Sequence, residues 1–111
     1  EINPDLALQA RRRLETSGAT NVMVRNADGA QGAAADGPFD VIVLSGSVAV
    51  VPKALLEQLK PGGRLFAVVG DEPMMRATIV TRGDSGFTTS QPWDFVTPRL
   101  QNFTEPSRFA F

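Results

Sequence analysis

The sequence predicts a single α/β domain, mostly a parallel sheet with an antiparallel hairpin at its end. Three observations carry this. Residues 1–70 run helix, strand, strand, helix, strand, with connections able to carry crossovers. The segment Phe39-Asp40-Val41-Ile42-Val43-Leu44 is β-branched and almost continuously apolar, the pattern of a strand covered on both faces. Two apolar–polar alternating runs then flank Gly83-Asp84-Ser85-Gly86, as in a hairpin. At 111 residues and 11.9 kDa the chain matches one domain.

Each element has a local reason. Asn3 can cap a helix whose first position is Pro4, where a missing N–H costs nothing. Leu6, Ala7, Ala10 and Leu14 recur at helical spacing and predict its buried stripe, and Gly18 ends it. Arg11-Arg12-Arg13 reads as a solvated face suited to the helix dipole. Val22-Met23-Val24 is long enough for a short strand, followed by the turn-rich Asn26-Ala27-Asp28-Gly29. Residues 29–37 read as loop or a weak helical turn. Ser45-Gly46-Ser47 is expected to release the chain from the strand before it. Pro52 opens a second helix over Lys53 to Leu59, which Lys60-Pro61-Gly62-Gly63 ends. Arg64 to Gly70 is the next strand. Ala77 to Arg82 and Phe87 to Val96 form the hairpin, with Trp93 and Phe95 packing on the sheet. Met74 and Met75 fill gaps. The tail after Pro98 is expected to lay Leu100, Phe103, Phe109 and Phe111 on the sheet surface.

Composition narrows the chemistry. Eleven Lys+Arg against 12 Asp+Glu leave a net charge of −1, so nothing in the charge balance calls for a nucleic-acid or anionic-membrane partner. Without Cys or His there is no disulfide, no thiolate or imidazole metal ligand and no His-activated nucleophile, and no metal site is expected. No apolar run approaches the roughly 20 residues of a membrane helix. A cytoplasmic protein is the expectation. The chain opens at Glu1 on a helix start, as though it begins inside a longer pattern.

Ligands of open parallel sheets bind beyond the carboxyl ends of strands. Glu1, before a helix N-terminus, can accept from the two hydroxyls of a ribose; the plainer role is an acid stabilised by the helix dipole. Asp28 can accept from an exocyclic amine and Gly29 lets a flat ring approach, although Asp-Gly is also a common turn. Ser45-Gly46-Ser47 has no His to activate it and reads as a small-residue opening at a strand end. Asp71-Glu72 reads as solvated.

On these residues the chain resembles a class I S-adenosylmethionine-dependent methyltransferase. The resemblance rests on Glu1-Ile2-Asn3-Pro4, on Asp28-Gly29 before Gly32, and on Phe39-Asp40-Val41-Ile42-Val43. The run Val51-Pro52-Lys53-Ala54-Leu55-Leu56-Glu57-Gln58-Leu59-Lys60-Pro61-Gly62-Gly63-Arg64-Leu65 is similar to the protein-L-isoaspartate O-methyltransferase family, as is Pro106-Ser107-Arg108-Phe109. The resemblance implies a Rossmann-like methyltransferase sheet with an antiparallel hairpin, and S-adenosyl-L-methionine as cofactor. It implies methyl transfer to the carboxylate of L-isoaspartyl residues in damaged proteins. Glu1 matches the ribose acid, Asp28 and Gly29 the adenine pair, and Ser45 the cofactor side of the following strand end. Gly46 and Ser47 are its substrate-side candidates.

Ser45-Gly46-Ser47 departs from the Thr-Ala-Ala or Gly-Ala-Ala common there, which leaves open a related enzyme with a small-molecule or RNA acceptor. A non-catalytic binding module of the same fold is the third reading. The family's first strand and Gly-rich loop have no counterpart in residues 1–111, so the chain resembles the C-terminal part of one domain, divided into 1–70, an edge hairpin at 71–97 and a tail at 98–111. Strand edges left without neighbours invite self-association, and the chain alone is expected to be inactive.

Overall fold

A computed structural model describes residues 1–106. Helix α1 covers Pro4–Thr16, and Asn3 Oδ1 accepts from Asp5 N at 2.9 Å and Leu6 N at 3.2 Å, the expected cap. Four strands form one sheet: β1 Phe39–Val48, β2 Leu59–Asp71, β3 Met74–Arg82 and β4 Phe87–Asp94, in the order β1-β2-β3-β4. A short helix α2, Lys53–Leu56, crosses from β1 to β2. β1 and β2 are parallel, while β2–β3 and β3–β4 are antiparallel. The α/β class holds, but only one of three pairings in these residues is parallel, because β3 folds straight back on β2 through the turn at Glu72-Pro73.

Val22-Met23-Val24 forms no strand, and Val22 and Met23 are exposed. A strand exists only with a ladder partner, and none reaches these residues; the Val24 carbonyl instead accepts from Arg11 Nη2 at 2.9 Å. Arg11 is therefore more than a solvated charge. The α1 stripe is also less buried than its spacing predicts: Ala7 is buried, while Leu6 is exposed.

The second helix stops at Leu56, and Leu59 already belongs to β2. Lys60-Pro61-Gly62-Gly63 is a bulge inside that strand. Between the pairs Phe39↔Leu59 and Val41↔Arg64, β1 advances two residues and β2 five. The reason lies in Pro61, which has no N–H for a ladder but fits a bulge. Arg82 Nη1 donates to the carbonyls of Glu57 and Leu59, tying this corner to β3.

The core is Val48, Leu55, Leu59, Leu65 and Ala67, with Ile42, Leu44, Leu100 and Phe103 packed against it. It lies on one face of the sheet, under α2 and the tail. The other face is open at β1, where Val41 and Val43 are 59% and 62% exposed, contrary to a strand covered on both sides. Farther across that face Trp93 stands 6.2 Å from Phe66, centroid to centroid, and remains half exposed. Met75 is buried and Met74 exposed. The predicted hairpin is present, closed by Gly83 N donating to Gly86 O at 2.7 Å. The tail packs Leu100 and Phe103 as expected; Phe109, Phe111 and most of Pro106-Ser107-Arg108-Phe109 lie outside the described residues.

Candidate cofactor cleft

The site is built on the outer edge of β1. Between Val43↔Phe66 and Ser47↔Val68, β1 advances four residues while β2 advances two, so β1 bulges at Leu44–Gly46. The strand runs on to Val48, and Ser45-Gly46-Ser47 lies within it instead of releasing the chain. A cleft of about 660 Å³ abuts this strand. Five consecutive residues, Val41 to Ser45, line it. Successive side chains of a strand point to opposite faces, so the cleft meets β1 edge-on.

Glu1, Asp28 and Gly29 line the same cleft. Glu1 N donates to Arg25 O and Glu1 O accepts from Ala27 N, both at 3.0 Å. Glu1 thus brackets Asn26 in the slanted pattern of parallel chains. Asn26 Nδ2 adds bonds to the carbonyls of Glu1 and Ile2, each 3.1 Å. These contacts hold two acids 27 positions apart on one cleft. Glu1 Oε1 accepts from Asn3 N at 2.9 Å, and its carboxylate keeps further acceptor capacity. Asp28 Oδ1 accepts from Ala30 N at 2.9 Å, closing an Asx turn.

The loop after Asp28 is pinned by Gln58. Its Nε2 donates to Gln31 O at 2.8 Å and Ala54 O at 3.1 Å, while Oε1 accepts from Ala33 N at 3.0 Å. A single helical turn, Ala34–Asp36, follows, and Asp36 pairs with Arg25 at 2.8 Å.

The tail closes the carboxyl end of the sheet. Ser47 N donates to Pro98 O at 2.7 Å and Leu100 N to Ser47 O at 2.8 Å, an isolated parallel bridge on the outer edge of β1. Arg99 donates to Gly70 O at 2.8 Å and Ser47 Oγ at 3.4 Å, and pairs with Asp71 and with Glu105 at 2.8 Å. Asp71 is therefore an ion-pair partner and not merely solvated. Asn102 Nδ2 reaches Asp28 Oδ2 at 2.9 Å.

Of the residues singled out from sequence, Glu1, Asp28, Gly29 and Ser45 line one cleft. Gly46 and Ser47 do not: both are buried beneath the tail, Gly46 against Leu100. Gln58, Arg99 and Asn102 were not anticipated as site-building residues. Gln58 stands inside the family-like run, but nothing local marks Arg99 or Asn102. Among the described residues no cluster of acids could hold a metal ion, and no helix is long and apolar enough to cross a membrane.

Comparison with known proteins places this geometry. A relative from Syntrophobacter fumaroxidans, named protein-L-isoaspartate O-methyltransferase 1, is 40% identical over 86 residues, covering 78% of this chain and 40% of that protein. The Pyrococcus abyssi protein-L-isoaspartate O-methyltransferase is 46% identical over 67 residues, 60% of this chain and 31% of its own length. A solved protein-L-isoaspartate O-methyltransferase superposes with a TM-score of 0.82 at 24% identity, over 92% of this chain and 33% of that one. A beta-aspartate methyltransferase structure from Plasmodium falciparum, in complex with S-adenosyl-L-homocysteine, gives 0.77 at 17% identity, over 91% and 50%. These two share the fold. The chain spans about two fifths of the length of the curated relatives it matches. The family model for protein-L-isoaspartate(D-aspartate) O-methyltransferase matches residues 1–97, and the chain belongs to that family.

Proposed function

We propose that this chain forms the adenosyl-binding side of an S-adenosyl-L-methionine-dependent enzyme that methylates the carboxylate of L-isoaspartyl residues in damaged proteins. One observation carries the reading: Glu1, Asp28, Gly29 and Ser45, separated by up to 44 positions, line a single cleft. Its volume of about 660 Å³ lies within the roughly 300–1,000 Å³ of small-molecule sites. The donor chemistry fits as well. Both carboxylates retain lone pairs after their backbone bonds, and Gly29 leaves a flat ring room to approach.

Glu1 would hold the ribose hydroxyls, Asp28 the exocyclic amine, and Ser45, at the bulge of β1, would lie on the side of the reacting group. When bound, the cofactor supplies an electrophilic methyl group on sulfur. Transfer then depends on aligning donor and acceptor, which a shaped cleft provides without an acid–base pair. The absence of His is no obstacle, because the nucleophilic carboxylate belongs to the substrate. The family relationship supports an isoaspartyl acceptor, and the tail that buries Gly46 and Ser47 gives the unusual Ser45-Gly46-Ser47 a packing role. We further propose the cytoplasm as its compartment, and that the isolated chain pairs with a second copy along the outer side of β1.

Calorimetry with S-adenosyl-L-homocysteine on the full-length protein tests the reading. Glu1→Gln and Asp28→Asn should each weaken binding by roughly tenfold or more, as expected for hydrogen bonds to a charged group. Methyl incorporation into an isoaspartyl peptide, with its aspartyl isomer as control, should fall in step. Unchanged affinity in both variants would refute it.

A further inference from the structure

We propose that Asn102 is a positioning residue that aims Asp28 at the base of the bound nucleoside, an inference that rests on the adenosyl reading of the cleft. Asp28 needs no second partner for its turn, since Ala30 N already satisfies Oδ1 at 2.9 Å. Yet Asn102, 74 positions away, donates to Oδ2 at 2.9 Å. Two donors on two oxygens fix the plane of the carboxylate. Each oxygen keeps a lone pair for a donor arriving from the cleft.

The tail that brings Asn102 here is itself anchored. The Ser47 bridge, Leu100 against Gly46 and the Arg99 contacts hold residues 98–100 on the end of β1. Asn102 then turns with φ of 65°, a conformation Asn adopts more readily than most residues. Both groups are exposed, so the bond contributes little to stability, and its effect is on orientation. A carboxylate held this way accepts from the 6-amino group of adenine and faces the 6-carbonyl of hypoxanthine with like polarity. The pair therefore reads the base.

The test uses the full-length protein and two probes, S-adenosyl-L-homocysteine and S-inosyl-L-homocysteine. Wild type should prefer the adenosyl ligand. Asn102→Gly keeps the backbone angle and loses the amide; its adenosyl affinity should fall roughly tenfold with inosyl affinity unchanged, the loss expected for one hydrogen bond to a charged group. Asn102→Asp sets carboxylate against carboxylate and should lose more. An unfolding midpoint unchanged in Asn102→Gly shows the effect is not on folding. If Asn102→Gly weakens both ligands equally, or keeps the full preference, the positioning role fails while the cleft reading stands. If wild type binds neither ligand, both fail.

Discussion

Gly32 lies so close to the side-chain amide of Gln58 that a Cβ on Gly32 would overlap it. Gln58 cannot move aside cheaply, because its amide holds Gln31 O, Ala54 O and Ala33 N together. The backbone adds a second constraint, since Gly32 has φ of +75°. Gly32→Ala should therefore destabilise by about 2–3 kcal/mol, combining strain at positive φ with broken hydrogen bonds. Gly18, at φ +81° with nothing near its Cβ position, is the control: Gly18→Ala should cost only about 1–2 kcal/mol. Urea unfolding of both variants measures the difference, and equal losses would show that Gln58 does not matter.

Leu100 occupies the space a side chain at Gly46 would take. A Cβ there would stand 2.8 Å from Leu100 Cδ2 and 2.9 Å from Pro98 O. Gly46→Val should lift the tail from β1 and expose the Ser47 and Leu100 amides. Hydrogen exchange at those two positions should accelerate while Leu65 and Ala67 stay protected. A variant with unchanged exchange at Ser47 would contradict the packing described.

Arg99 serves four acceptors on three segments through its planar fork, more than the three N–H donors of one ammonium nitrogen. Arg99→Lys should lower stability by about 1–2 kcal/mol through lost hydrogen bonds. Asp71 is half exposed, so Asp71→Asn should cost under about 1 kcal/mol and less still in high salt. Thermal unfolding of both at low and high ionic strength checks the order. The reverse order would mean that the ion pair, and not the carbonyl contact, holds the tail.

Size-exclusion chromatography with light scattering addresses pairing along β1. The 111-residue chain should elute as a dimer or larger, and Val43→Lys, placing a charge on the open face, should shift it toward monomer. A strictly monomeric unsubstituted chain would count against pairing.

Local chemistry along the chain determined the Asn3-capped helix, the apolar run of β1, the turn at Gly83–Gly86 and the family, because caps, turns and periodicity act between near neighbours. Tertiary structure decided the rest. Val22-Met23-Val24 has strand composition but no ladder partner, and Lys60-Pro61-Gly62-Gly63 became a bulge only because β1 lies alongside. The sequence pattern ends the strand before Ser45, yet β1 runs on to Val48, and Gly46 and Ser47 are covered by a tail half the chain away. The Asp28–Asn102 bond lay beyond any local pattern, since it forms only after the folded sheet brings two distant segments together.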